Sequence, residues 1–233
     1  MRLVLSNEQV APDVFWMNIE GDYHGEMGQF YMLRAWDNYP VLSRPISIHD
    51  IGKGYISFLY RKVGEGTELL TALKPGDTLM LEGPFGNGYP YTENKVALIG
   101  GGMGTAPLLY AAKRLPNADV YLGFSGKSFR VEAFEQAAGK IVVNIGGYIM
   151  NDLEPDAYDA VYCCGSLGMM RALAERMKGS RARLYVSLEK RMACGVGACL
   201  GCSIATKHGN RKICSDGPVF AAEEVNLYAG HDL

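Results

Sequence analysis

The sequence predicts an N-terminal antiparallel β-barrel, a parallel-sheet α/β domain and a small C-terminal domain built on a cysteine loop. Three observations predict it. Residues 1 to about 90 hold short β-type segments, evenly broken by turn residues. From about residue 94, compact apolar runs alternate with helix-like stretches, the pattern of a parallel sheet covered on both faces. Four cysteines then crowd between positions 194 and 214. These changes divide the chain at 1–92, 93–185 and 186–233. With 233 residues, 48% of them hydrophobic, there is material for such a core and no case for disorder.

In the barrel half, strands are expected over Val14 to Ile19, Gly28 to Leu33, Gly54 to Arg61 and Thr78 to Glu82. Asp22, Pro40, Gly64-Glu65-Gly66, Pro75-Gly76-Asp77 and Gly83-Pro84 punctuate them, and a short helix is expected over Gly66 to Leu73. In the second half, Val96 to Ile99 reads as a buried strand followed by a glycine turn and a helix from Ala106 to Leu115. Strands follow over Val120 to Phe124, Ile141 to Ile145 and Ala160 to Cys164, with helices over Glu132 to Ala138 and Leu167 to Lys178. A final strand, Arg183 to Leu188, leads into the cysteine loop.

Charge excludes one class of partner. A formal net charge of −2 and a pI near 6.1 give no basic surface for nucleic acid. The N-terminus reaches Asn7 and Glu8 too soon for a signal-peptide core, and no apolar run approaches the ~20 residues of a membrane span. A cytoplasmic protein is expected, and the adjacent pair Cys163-Cys164 is ill-placed for an ordinary disulfide.

Cys194, Cys199, Cys202 and Cys214 stand as C-x4-C-x2-C-x11-C. The first three intervals match the plant-type ferredoxin run, in which thiolates hold a [2Fe-2S] cluster. Three glycines in the loop allow the backbone to fold closely and aim amides at sulfur. A four-cysteine zinc site is the alternative; such sites take ligands as two C-x2-C-like pairs, and only Cys199 and Cys202 form one.

Upstream, Arg44-Pro45-Ile46-Ser47 lies between two expected strands, and Gly64-Glu65-Gly66-Thr67 opens the first helix about twenty residues later. Helix amides there favour a pyrophosphate, Arg44 can pair with its oxygens, and Ser47 can hydrogen-bond a ring nitrogen. Gly100-Gly101-Gly102-Met103-Gly104-Thr105 follows a strand directly. It lacks the last glycine of G-x-G-x-x-G, where Thr105 stands, but still lets backbone approach a dinucleotide phosphate. Cys164-Gly165 ends the fourth strand of the second half, where parallel sheets place ligands, although a cysteine there is commonly a small buried hydrophobe.

Arg-Pro-x-Ser, Gly-Glu-Gly-Thr, Gly-Gly-x-Gly-x-x-Pro and Cys-Gly-x-x-x-Met, in this order, resemble the ferredoxin–NADP reductase superfamily. The tail Cys194-Gly-Val-Gly-Ala-Cys199-Leu-Gly-Cys202, with Cys214-Ser-Asp-Gly-Pro-Val-Phe220, is similar to the electron-transfer subunits of NAD-dependent two-subunit dihydroorotate dehydrogenases. Cys214 follows Cys202 by far less than in plant ferredoxins, so the cluster domain is not itself ferredoxin-like.

The resemblance implies FAD lined by Arg44, Pro45, Ile46 and Ser47, with Leu59, Tyr60 and Arg61 on the next strand and Gly66 and Thr67 at its pyrophosphate. It implies NAD facing Gly101, Gly102, Gly104, Thr105, Cys164 and Gly165, and puts Ser47 and Cys164 at the reacting centre, Ser47 as an orienting and electronic group. It implies iron ligation by Cys194, Cys199, Cys202 and Cys214, and an FMN-containing catalytic subunit as partner in a heterotetramer of pyrimidine biosynthesis. Flavin subunits of NADH-dependent ferredoxin:NADP oxidoreductases and of sulfhydrogenases share these parts and form the second reading; a zinc-stabilised binding or sensor protein is the third. Nucleotide preference is left open by the residues. Gly123-Phe124-Ser125-Gly126-Lys127 offers no acidic partner for a ribose 2′-hydroxyl, and Lys127 and Arg130 could instead meet a 2′-phosphate, although lone basic residues there are usually solvated; the resemblance implies NAD.

Overall fold

The computed structural model describes residues 1–228. Six strands, β1 (Arg2–Ala11), β2 (Val14–Glu20), β3 (Phe30–Arg34), β4 (Arg44–Gly52), β5 (Tyr55–Arg61) and β6 (Thr78–Phe85), close an antiparallel barrel in the order β1-β2-β5-β4-β3-β6. Two of them differ from expectation. β1 buries only Val4 fully and so shows no clean alternation. β4 opens on Arg44-Pro45, expected between strands, and carries His49-Asp50 inside it; Pro45 is tolerated as its second residue, opposite Met32 of β3. Helix α1 (Glu65–Thr71) crosses between β5 and β6 and stops two residues short of the expected Leu73.

The second sheet has the order β14-β11-β10-β7-β8-β9, built from β7 (Val96–Gly101), β8 (Ala118–Phe124), β9 (Lys140–Ile145), β10 (Ala160–Cys164), β11 (Arg183–Ser187) and β14 (Val219–Ala221). Its first five strands are parallel, as expected. β14 is antiparallel to β11, with Ser187 opposite Val219, so chain from beyond the cysteine loop completes this sheet. Three residues after a proline gave it no periodic signal. A hairpin of β12 (Ser203–Thr206) and β13 (Gly209–Lys212) was equally silent, because its strands are short and mostly polar.

Helices α2 (Leu108–Arg114) and α3 (Leu167–Arg176) sit where expected but are shorter. The helix expected over 132–138 is a single 3₁₀ turn, Val131–Phe134: Phe134 anchors it in the core, and the Gly139 amide is already bonded to Ala118 at the start of β9.

Only the barrel comes near a private core, shared with Tyr110 alone. One apolar cluster fills the barrel around Met17, Ile19, Leu33, Ile48 and Phe58. A second joins Val14, Met27, Leu59 and Tyr89 to β7, β8 and α2. A third joins Phe30 and Met32 of β3 to Ile99, Val161 and Val186 of the sheet and to Cys202, Ile213 and Cys214. Polar ties cross the same seam: Tyr89 Oη donates to Cys163 O at 3.0 Å, Tyr162 Oη to Pro90 O at 2.7 Å, and Lys113 Nζ meets Asp50 Oδ2 at 2.6 Å.

Candidate functional site

Because β7, β10 and β11 are in register, Gly100, Cys164 and Ser187 lie side by side at the carboxyl edge of the sheet, where open α/β sheets bind ligands. The two glycine turns that follow β7 and β10 are packed against each other there. A side chain on Gly104 would overlap the Cys164 carbonyl, and one on Gly101 would come within 2.6 Å of Met169 Sδ, which also lies under Gly165. The turn Gly102–Thr105 is itself 3₁₀, and α2 begins only after Pro107, later than expected. Thr105 is buried and its hydroxyl donates to Gly102 O at 2.9 Å, so it fixes the turn from inside. The Cys164 thiol is buried too; burial pushes it well above its ordinary range, with Glu189 the next cause, so it is a neutral packing group and not a thiolate.

The barrel presents a second set of groups. Arg44 stacks over Trp36 at 5.4 Å and donates from Nη1 to Leu42 O. Its guanidinium lies against Gly66 so closely that a Cβ there would overlap Nε. Arg44 and the first turn of α1 are thus brought together, as the sequence motifs require, and Arg44 has no carboxylate partner among the described residues. Ser47 is half-buried, opposite Phe30 of β3, and its hydroxyl has no hydrogen-bond partner among the described residues.

Other expected residues turn inward. Thr67 Oγ1 accepts from Val63 N and Gly64 N and donates to Gly64 O, closing the loop instead of facing out. Tyr60 is in the barrel core with its hydroxyl on Asn7 Oδ1, and Leu59 packs against the nucleotide-type sheet, leaving Arg61 as the exposed member of that trio. Arg130 stands 3.9 Å over the Trp16 ring and 3.6 Å from Glu132, committed to the barrel surface.

The four loop cysteines stand as two pairs. Cys194 and Cys199 are in hydrogen-bonding reach of each other, as are Cys202 and Cys214. Main-chain amides point at three of the sulfurs: Gly197 N donates to Cys214 Sγ at 3.1 Å, Cys199 N to Cys194 Sγ at 3.4 Å and Cys214 N to Cys202 Sγ at 3.4 Å. Loop amides, Cys199's first and then Val196's, bring the Cys194 thiol down to about 6. Burial, then the neighbouring Cys202, pushes Cys214 up to about 12. Neither pair can ionise fully without positive charge beside it, and paired soft thiol donors suit iron; among the described residues no three such side chains converge on one point as a ready-made single-metal site would require. The loop is seated on the barrel: a Cβ on Gly195 would lie 3.2 Å from Met32 Cγ, and Met32 is paired with Pro45.

Sequence reasoning overlooked Trp36, Tyr89, His49 and Asp50, which shape or brace these sites. Only Trp36 carried any signal, by its nearness to Arg44. Cys163 and Cys164 are free, as are the four loop cysteines.

Comparison with known proteins agrees with this geometry. Residues 189–226 match the iron-sulfur cluster binding domain of dihydroorotate dehydrogenase B. The chain is 43% identical to the dihydroorotate dehydrogenase B (NAD(+)) electron transfer subunit of Clostridium acetobutylicum, covering 96% of both chains, and 36% identical to that of Clostridium perfringens at the same coverage. Among solved structures, an NADH-dependent reduced ferredoxin-NADP oxidoreductase superposes with a TM-score of 0.88 at 26% identity, over 97% of this chain and 90% of that one. A Neisseria gonorrhoeae ferredoxin NADP+ reductase with bound FAD and NADP shares the fold at a TM-score of 0.62 and 15% identity, over 80% of this chain and 98% of that one. The extent and identity of the first matches place the barrel, the glycine turns and the paired cysteines in one lineage: the chain belongs to the family of electron transfer subunits of dihydroorotate dehydrogenase B (NAD(+)).

Proposed function

We propose that this chain carries electrons from an FMN-containing catalytic subunit that oxidises dihydroorotate, through a [2Fe-2S] cluster and FAD, to NAD+. The observation that carries the reading is the seat of the cysteine loop. It rests on Met32 of β3, the strand paired with Arg44–Ser47, so a one-electron centre and the flavin strand are neighbours. FAD is the group that exchanges single electrons with a cluster and a hydride with nicotinamide. In this reading Arg44, with the first turn of α1 at Gly66, holds the FAD pyrophosphate. Pro45, Ile46 and Arg61 flank the ring system, and the free Ser47 hydroxyl orients it. Thr67, Leu59 and Tyr60 support that surface from behind. Gly101, Gly102, Gly104 and Gly165 give NAD a close main-chain surface, braced by Thr105, and Cys164 packs beneath as a neutral thiol. Cys194 and Cys199 take one iron, Cys202 and Cys214 the other.

The segments 1–92, 93–185 and 186–233 are then the FAD, NAD and cluster parts. Two copies of each subunit form the assembly, and the six free cysteines suit the reducing cytoplasm. The reading as a ferredoxin:NADP oxidoreductase subunit is supported by 26% identity against 43% for the first and is set aside.

The test separates the half-reactions. The chain with FAD alone should oxidise NADH with an artificial two-electron acceptor and leave dihydroorotate untouched. Adding the catalytic subunit should create dihydroorotate:NAD+ activity, and Cys199→Ser should abolish that coupled reaction while sparing NADH oxidation. Full coupled activity in Cys199→Ser would refute the relay.

A further inference from the structure

The cysteine loop carries a polar group with no task in the site as described. Ser215 directly follows Cys214, and its hydroxyl oxygen is buried with no hydrogen-bond partner among the described residues. It lies beside Gly197, the residue whose amide donates to Cys214 Sγ at 3.1 Å. A Cβ on Gly197 would fall 2.9 Å from Ser215 Oγ and 3.4 Å from Lys212 Nζ, and the φ of +80° at this position suits glycine, so the close approach is built into the turn. The Ser215 hydroxyl and the Cys214 thiol thus share the Gly197 side of the loop.

The surroundings leave the hydroxyl proton without an acceptor. Residues 212–217 form a tight turn in which Lys212 O accepts the amides of Ser215, Asp216 and Gly217 at 3.2, 2.7 and 3.3 Å, and its two lone pairs are spent. The Asp216 carboxylate folds back onto the Lys212 amide at 2.6 Å, and Ser215 O is taken by Asn87 Nδ2 at 3.3 Å. Lys212 Nζ reaches the same side, but an ammonium only donates. Sulfur is the acceptor that remains. A buried hydroxyl is costly while it stays unpaired, and an acceptor that arrives when the loop is loaded accounts for its placement.

We propose that the Ser215 hydroxyl donates a hydrogen bond to sulfur of the bound [2Fe-2S] cluster and thereby raises its reduction potential. The inference rests on the cluster proposed above. A cluster held by four thiolates is an anion in both redox states, and reduction adds one electron and no proton, so every donor aimed at its sulfurs favours the reduced state. The amides of Gly197, Cys199 and Cys214 supply a share fixed by the backbone. Ser215 adds a share set by a side chain. In the proposed relay this makes the cluster a readier acceptor of electrons from the catalytic subunit.

The test is a potentiometric titration of the FAD- and cluster-loaded chain, followed by the electron paramagnetic resonance of the reduced cluster, in wild type, Ser215→Ala and Ser215→Thr. Ser215→Ala should lower the equilibrium constant for cluster reduction about tenfold, equivalent to about 59 mV for one electron, as loss of a charge-assisted hydrogen bond implies. Ser215→Thr keeps the hydroxyl and should stay within about twofold of wild type. Pulsed spectra in H2O and D2O add a readout that loop shape alone does not move: the reduced wild-type cluster should show an exchangeable-proton coupling that Ser215→Ala lacks. Loss of the cluster from Ser215→Ala but not from Ser215→Thr would equally support the contact. An unshifted potential in Ser215→Ala, equal shifts or equal cluster loss in both variants, or the same exchangeable couplings in Ser215→Ala as in wild type would overturn the proposal while leaving the wild-type cluster standing. A wild-type chain that takes zinc and gives no iron–sulfur signal would overturn the cluster, and this proposal with it.

Discussion

Gly104 and Cys164 lie sixty residues apart in sequence, and the absence of a Cβ on the first lets the two turns meet. Gly104→Ala must push the β7 turn away from the β10 turn, because the obstacle is a main-chain carbonyl that cannot rotate aside. The expected cost is about 1–3 kcal/mol of stability and at least about tenfold in NAD+ affinity, measured by urea unfolding and by titration. An alanine variant that binds NAD+ normally would mean the turns do not form the nucleotide surface. At this scale the sequence was readable where the residue type is itself the constraint. Glycines forced by close approach and cysteines set at ligand spacing announce themselves. Thr67, Thr105 and Tyr60 did not show that their hydroxyls are spent on the protein, since side-chain direction follows from tertiary packing. The contact of Arg130 was hidden for the same reason: nothing in its neighbourhood along the chain points to Trp16.

Among the elements, strands with β-branched apolar runs were legible, and those with mixed faces were not. Val96 to Ile99 is buried on both faces and reads plainly; β1 and β4 lie on a barrel wall and carry Asn7, Glu8, His49 and Asp50. Asp50 and α2 also decide how the halves are joined. The Asp50 side chain is 7% exposed, accepts from Tyr55 at 2.9 Å and pairs with Lys113, while its Oδ1 has no partner. Removing Lys113 leaves that carboxylate buried without a cation. Because Lys113 is itself 43% exposed, solvent screens part of the loss, and Lys113→Met should cost about 1–3 kcal/mol. Adding Asp50→Asn should recover most of it, and comparison of urea midpoints for the single and double variants measures the coupling.

For the whole molecule, pH acts on the seam between barrel and sheet through His49. The ring is buried, Nδ1 donates to Ala106 O at 2.6 Å, and Nε2 has no partner. Burial brings its pKa from 6.5 to about 4, with Arg130 and Lys113 acting in the same direction and Asp50 against them. Below pH 6.5 the unfolded chain gains a proton that the folded ring refuses until about pH 4, so stability falls as pH drops across that window. The loss from this group approaches about 3 kcal/mol at pH 4. Thermal unfolding of wild type between pH 7 and 4 should therefore be steeper than that of His49→Asn, in which the acid-induced loss shrinks. Equal slopes would show that other groups dominate. Three-part architecture was visible in the sequence as changes of pattern. The shared cores were not, because no local pattern reveals that Phe30 and Cys214 will belong to one core.

The pairing of Ser187 with Val219 has a consequence for how such a protein arises. The chain leaves the sheet after β11 and returns on β14 one strand spacing away, about 5 Å. Everything from 188 to 218 is thus a cassette with adjoining ends, a segment that can be gained or lost without rethreading its host, as domain insertions are. Its footprint reaches both neighbours: excision would cut the ties from Asn87 to 215–217 and from 206–207 to Val225 and Glu224, and would bare Phe30 and Met32. A cluster-free flavin reductase cut from this chain would need a short turn between the two strands and polar residues at those two positions.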